Sequence, residues 1–117
     1  MGVTRKVLKE GNGTDKPKKG DVVTIEYTGN LYDESKADND YRGTQFDSSV
    51  GRGDFKTQIG VGKVIRGWDE GVMEMSLGEK SVLTISGDYA YGDGGFPGLI
   101  PPNASLVFVV ELKGINK

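Results

Sequence analysis

The chain has 117 residues, 15 of them basic and 17 acidic, and this length favours one domain over residues 1–117 with a single core. It contains no histidine and no cysteine, which excludes Ser-His-Asp and Cys-His catalysis, disulfides and His/Cys zinc sites. The net charge of −2 argues against nucleic-acid binding. No apolar run is long enough for a signal core or a membrane span, so we expect a cytoplasmic protein without membrane contact.

Short strands are the main prediction along the chain, because apolar and polar residues alternate in several segments. The 19 glycines are spread between these segments, which is typical of turns that join strands. In chain order the alternating segments cover residues 3–7, 22–29, 55–59, 80–86 and 106–112. The last of these has the clearest period of two.

One segment has the period of an amphipathic helix instead. Its apolar residues are spaced by three and four positions, at Ile65, Trp68, Val72 and Met75,. Asp69 and Glu70 stand near its beginning, where a helix dipole favours negative charge, and Gly78 is expected to end it. Several antiparallel strands and one short helix predict an α+β domain in which the apolar face of the sheet covers the helix.

No segment of the sequence has the residue spacing that a phosphate-binding or calcium-binding motif requires. Gly60-Val61-Gly62-Lys63 lacks the spacing of a phosphate-binding loop,. The segment that starts at Asp38 resembles a calcium loop only faintly, since Arg42 and Ser49 stand where ligands are needed,. We therefore expect no metal and no cofactor.

Five sequence blocks, occurring in order, carry a more specific signal. They are Tyr27-Thr28-Gly29, Phe46-Asp47-Ser48-Ser49, Val64-Ile65-Arg66-Gly67-Trp68-Asp69-Glu70-Gly71, Asp88-Tyr89-Ala90-Tyr91-Gly92 and Phe96-Pro97-Gly98-Leu99-Ile100-Pro101-Pro102. Together they resemble the small single-domain FKBP-type prolyl isomerases over about residues 3–115. The resemblance is to a fungal-like form with an inserted loop. It implies a five-stranded antiparallel sheet wrapped around one short helix, and isomerisation of X-Pro bonds in an apolar cleft between them.

The resemblance also implies the residues of that cleft. Trp68 corresponds to the floor, Asp47 to the pocket carboxylate, and the Tyr91 hydroxyl and Ile65 N–H to hydrogen-bond donors. Asp47, Tyr91, Trp68 and Tyr27 are the residues implied in catalysis. Arg52 is expected to hold the polar corner near Asp47, although the loop before it is one residue shorter than in some relatives. Substrate and drug contacts are implied for Tyr27, Phe46, Asp47, Arg52, Phe55, Val64, Ile65, Trp68, Ala90, Tyr91 and Phe108, with Phe96, Leu99 and Ile100 on a flap over the cleft.

Implied partners are proline-containing polypeptides and the macrolides tacrolimus and rapamycin, with calcineurin or the TOR kinase bound in a drug-dependent way. We expect a monomer. The acidic segment 34–41 is an insertion, which we interpret as an enlarged surface hairpin or bulge beside the pocket. Two other functions stay open at this point. The domain could act as a binding module whose isomerase activity is incidental, or as a general chaperone for unfolded chains that lack proline.

Overall fold

A computed structural model of the chain describes residues 2–116, which form one sheet around a short helix. In chain order its elements are β1 (Val3–Lys9), β2 (Val22–Tyr32), β3 (Arg42–Ser48), β4 (Phe55–Gln58), α1 (Arg66–Gly71), β5 (Lys80–Ile85) and β6 (Leu106–Ile115). Turns of 3₁₀ helix cover Glu34–Asn39, Val72–Glu74, Gly87–Tyr89 and Gly92–Gly94. Within the described residues, no helix has the length and the apolar character needed to cross a membrane.

The strands form an antiparallel sheet in the order β1-β5-β6-β2-β3, and β4 also pairs with β2. β3 pairs with residues 28–32 of β2, whereas β4 pairs with residues 22–25. The two strands therefore lie end to end along one edge of β2 and together occupy a single position in the sheet. This confirms the α+β class, and it explains why six strands are seen where a five-stranded sheet was expected. The loop between them, which contains Gly51 and Gly53 at positive φ, interrupts the fifth strand.

The core lies between α1 and the concave inner face of the sheet. Alternation along the strands directs one set of side chains inward, and the fully buried residues include Ile25, Leu83, Ile85 and Leu112. Gly67 permits the close packing of α1, because a Cβ atom at this position would stand 2.5 Å from a side-chain carbon of Ile85.

The helical segment is shorter than the sequence pattern indicates. α1 is followed by one 3₁₀ turn that ends at Glu74, and Met75 is already extended, with φ −86° and ψ 146°. The Ser76 N–H donates to the Glu79 carboxylate at 3.1 Å instead of continuing the helix. The helical segment, α1 together with its 3₁₀ turn, therefore ends at Glu74, four residues before Gly78. Met75 nevertheless remains fully buried in the core.

The segment 34–41 follows β2 in the chain but contacts β1, which is not a neighbour of β2 in the sheet. Lys6 on β1 forms an ion pair with Asp40 at 2.6 Å. β1 is three strand positions from β2, about 14 Å away, so this ion pair links segments that are not adjacent in the sheet. Val107 on β6 and Val82 on β5 point to the outer face of the sheet, away from α1, yet they are 0% and 3% exposed and lie outside the inner core. The insertion thus reaches the strand at the far edge of the sheet through Asp40, and none of residues 34–41 lines the cleft described below.

Candidate active site

A cleft of about 180 Å³ opens between the beginning of α1 and the concave face of the sheet. Its walls come from β2, β3, β4, β6, the loop before α1 and the loop after β5. The lining residues are Tyr27, Phe46, Asp47, Phe55, Lys63, Val64, Ile65, Trp68, Tyr91 and Phe108. All of them except Lys63 are among the residues that the resemblance implies, so the fold brings most of the implied site together.

Aromatic rings form the base of the cleft around Trp68, which lies on α1 and is 5% exposed. The Trp68 ring meets the rings of Tyr27, Phe108 and Phe55 edge to face, with centroids 4.9, 5.1 and 5.9 Å away. Such edge-to-face contacts are energetically favourable. The cleft therefore has an apolar floor of closely packed aromatic rings.

Gly29 makes room for the aromatic wall on the sheet side. A Cβ atom at this position would stand 2.7 Å from the ring of Phe108 and 2.8 Å from that of Phe46. These two rings pack edge to face over it, with centroids 5.6 Å apart. A larger residue at position 29 would displace both rings, so the glycine is required by the shape of the wall.

Asp47 is the centre of a polar corner at the mouth of the cleft. Its carboxylate accepts hydrogen bonds from the Tyr27 hydroxyl at 2.7 Å, the Ser48 N–H at 2.9 Å and the Arg52 guanidinium at 2.8 Å. Arg52 also donates to the Ser48 carbonyl. The guanidinium thus reaches the corner despite the shortened loop.

The protonation states of this corner follow from these bonds. Partial burial disfavours the charged carboxylate, but the bonds from Tyr27, Ser48 and Arg52 outweigh it and lower the pKa of Asp47 below 3.8,. Burial, together with the bond to Asp47 and its charge, raises the pKa of Tyr27 to about 12. At neutral pH, Asp47 is therefore ionised and Tyr27 is a protonated donor.

Two further donors are available to a ligand in the cleft. Tyr91 is 40% exposed, and partial burial followed by the negative charge of Asp47 raises its pKa, so its hydroxyl is protonated at neutral pH. The Ile65 N–H precedes the first turn of α1, and none of the described residues accepts a hydrogen bond from it. The cleft thus combines an apolar enclosure with donors at its edge.

The implied flap residues differ in where they lie. Phe96 and Leu99 are about half exposed, and the ring of Phe96 packs edge to face against that of Tyr91. Ile100 is 4% exposed and belongs to the core, and Ala90 is partly buried against the same core. None of these four residues lines the cleft.

Lys63 is the lining residue that the sequence interpretation did not include. The motif that carries the resemblance begins at Val64, so the residue before it was not counted. Its place directly before two wall residues in one loop is the signal that would have identified it.

Comparisons with known proteins agree with this geometry. The sequence model of the family described as FKBP-type peptidyl-prolyl cis-trans isomerase matches residues 13–113. The chain is 65% identical over 117 residues to FK506-binding protein 1 of Yarrowia lipolytica, an alignment that covers 99% of this chain and 100% of the relative. It is 63% identical to FK506-binding protein 1B of Aspergillus fumigatus, with coverage of 99% and 96%. It is 57% identical to the peptidyl-prolyl cis-trans isomerase of Schizosaccharomyces pombe, again with coverage of 99% and 96%.

Proposed function

The chain belongs to the FKBP-type peptidyl-prolyl cis-trans isomerase family, and from this premise we propose that X-Pro bonds of polypeptides isomerise in the aromatic cleft. The observation that carries the proposal is the enclosure itself, in which Trp68 forms a floor beneath three other aromatic rings. Such an enclosure suits a proline ring, and the donors at its edge suit the peptide groups on either side.

The chemistry that this cleft has to perform is rotation about one amide bond. Amide resonance sets a barrier of about 18–20 kcal/mol, and X-Pro bonds consequently exchange in tens of seconds or longer. In the twisted amide, resonance is lost and the carbonyl carries less negative charge than in the planar form. A dry aromatic cavity therefore disfavours the planar amide relative to the twisted one, and each ~1.4 kcal/mol of this difference gives a tenfold rate increase.

Each group of the cleft has a role in this mechanism. The indole of Trp68 supports the pyrrolidine ring, while the Ile65 N–H and the Tyr91 hydroxyl hold the flanking carbonyls. Asp47 fixes the hydroxyl of Tyr27 at 2.7 Å and places a negative charge near the polarised carbonyl carbon. Arg52 positions this carboxylate from outside the cleft. Rotation requires no proton transfer, which fits a site whose acid is ionised and whose phenols are protonated at neutral pH.

Binding of tacrolimus and rapamycin in the same cleft is part of the proposal. It is supported by the relatives that are named for FK506 binding and by the apolar lining, which would take a rigid ring in place of proline. The side chains of Phe96 and Leu99 are exposed, and the ring of Phe96 packs against that of Tyr91, which lines the cleft. A bound macrolide would extend this apolar surface and create the contact for calcineurin or the TOR kinase. We place the protein in the cytoplasm as a monomer.

The same exposed flap residues support a second role, in which docking on a large partner is the selected function and isomerisation is incidental. Substitution of Phe96 or Leu99 with Ser separates the two roles. Loss of the cellular effect with retained turnover would favour docking, whereas equal loss of both would favour catalysis.

The first test is the cis-to-trans conversion of a tetrapeptide with Leu before proline, measured with and without rapamycin. We expect a faster conversion that stoichiometric rapamycin abolishes. Tight rapamycin binding without acceleration would favour the docking role. Acceleration that survives saturating rapamycin would contradict the proposal that turnover and drug binding share one cleft.

A further inference from the structure

The cleft contains one charge that the mechanism above does not use. Its charged lining residues are Asp47 and Lys63. The carboxylate of Asp47 is already paired with Arg52 at 2.8 Å. Lys63 is exposed and has no carboxylate within ion-pair distance among residues 2–116. Lys63 therefore lines the cleft with a side chain whose ammonium forms no ion pair among the described residues.

The backbone that carries Lys63 is held in place by α1. The two carboxylate oxygens of Asp69 accept hydrogen bonds from the N–H groups of Gly60 at 2.8 Å and Gly62 at 2.9 Å. Both glycines have positive φ, 80° and 79°, so the turn before Lys63 has a defined shape. On its other side, Val64 and Ile65 belong to the cleft wall. Since both flanks of Lys63 are fixed, the ammonium can move only within the reach of its own side chain.

The position of Lys63 also limits which part of a substrate it can meet. It lies two residues before Ile65, whose N–H is assigned to a carbonyl next to the proline. Lys63 is exposed, and a lysine side chain at this place in the loop is long enough to approach a substrate residue on that side of the proline, at the solvent-accessible edge of the cleft.

We propose that Lys63 makes this isomerase select X-Pro segments that carry a carboxylate on a residue next to the proline. This inference rests on the proposed location of catalysis in the cleft. An ion pair at an exposed site changes an equilibrium by about two- to fivefold. We therefore expect kcat/KM for a peptide with Glu beside proline to exceed that for the matched Gln peptide by about two- to fivefold at low ionic strength. A Lys peptide should be poorer than the Gln peptide.

The test uses tetrapeptides with Glu, Gln or Lys either before or after proline, and four proteins. These are the natural chain, Lys63→Met, Lys63→Glu and the matched control Lys16→Met. Lys16 is exposed and makes no ion pair among the described residues. It follows Asp15, whose backbone carbonyl accepts a hydrogen bond from the N–H of Leu77, a residue beyond the end of the helical segment. Both Met variants change the net charge equally, but only one changes the cleft.

We expect the Glu-to-Gln ratio to fall to one in Lys63→Met, to invert in Lys63→Glu and to persist in Lys16→Met. The ratio should also vanish at 1 M salt, where the Debye length is about 3 Å, and be largest at 10 mM, where it is about 30 Å. Equal kcat/KM for the Glu, Gln and Lys peptides at both positions would overturn the inference while leaving catalysis in the cleft intact. Absence of turnover on the neutral Gln peptide would instead overturn the proposed function.

Discussion

Trp68 offers the sharpest test of the cleft, because its indole N–H is buried without a hydrogen-bond partner among the described residues. Replacement of Trp68 with Phe removes this N–H and part of the ring, but keeps an aromatic floor. The substitution therefore separates the contribution of the indole to packing from its contribution to the shape of the site.

Opposing effects set the expected change in stability. The smaller ring buries on the order of 40 Å² less apolar surface, a loss of about 1 kcal/mol, and the space left behind costs about 1 kcal/mol more. Removal of an unpaired buried donor returns about 1–3 kcal/mol. The free energy of unfolding should therefore change by less than about 1 kcal/mol in Trp68→Phe, whereas Trp68→Ala should lose about 3–5 kcal/mol.

Catalysis should respond differently from stability. A proline ring above the smaller phenyl ring loses part of its contact in the twisted state, and we expect kcat/KM to fall about tenfold, equivalent to about 1.4 kcal/mol. Unfolding in urea is followed by far-ultraviolet circular dichroism, because Trp68 is the one tryptophan of the chain and its fluorescence is lost. Turnover is measured on the Leu-Pro tetrapeptide in parallel.

A matched core variant controls for stability. Leu112 is fully buried. Its backbone carbonyl accepts a hydrogen bond from the N–H of Gly78, and it does not line the cleft. Leu112→Val should cost about 1 kcal/mol of stability without any change in kcat/KM. If Trp68→Phe instead loses more than 2 kcal/mol of stability and retains full turnover, Trp68 is an ordinary core residue and the proposed floor is wrong.

Two further predictions concern the polar corner and the outer face. Turnover of a neutral peptide should be constant from about pH 5 to 9, since the pKa of Asp47 lies below 3.8 and that of Tyr27 is about 12. Ionised Asp47 also stabilises the folded protein. This stabilisation is present above pH 3.8 and is lost as the pH falls through the lower pKa that Asp47 has in the folded state. A pH-rate step near 7 would contradict this assignment, and Asp47→Asn should lower kcat/KM about tenfold while the exposed Asp38→Asn does not. On the outer face, Val107→Ala should cost about 2 kcal/mol in urea unfolding and Val109→Ala less than about 1 kcal/mol, because Val107 is fully buried whereas Val109 is only partly buried. Equal losses at the two positions would contradict a stability difference that follows from their burial.

Much of the fold could be predicted from local patterns. The alternation in residues 22–29 and 106–112 predicted the long strands β2 and β6, which pair at the centre of the sheet. The spacing of Ile65, Trp68 and Val72 predicted the helical segment that begins with α1 and continues in one 3₁₀ turn. These patterns are readable because each strand or helix buries one face, and that burial imposes a period of two or of 3.6 residues on the chain itself. The cleft residues were found through the family motifs, since no period distinguishes an aromatic wall residue from an aromatic core residue.

Other features depend on which distant segments meet, and only the tertiary structure decided them. β3 and β4 form a single sheet position because both pair with β2, a fact that neither short segment encodes alone. Ile100 and Phe96 lie four residues apart in the flap motif, yet one is buried and the other is half exposed. The carboxylate of Asp69 accepts hydrogen bonds from the loop before α1, and Lys63 lines the cleft. The sequence by itself determined what each segment tends to form, because local periodicity reports local burial. The tertiary structure determined what each side chain faces, because register and loop paths bring together residues that are far apart in the chain.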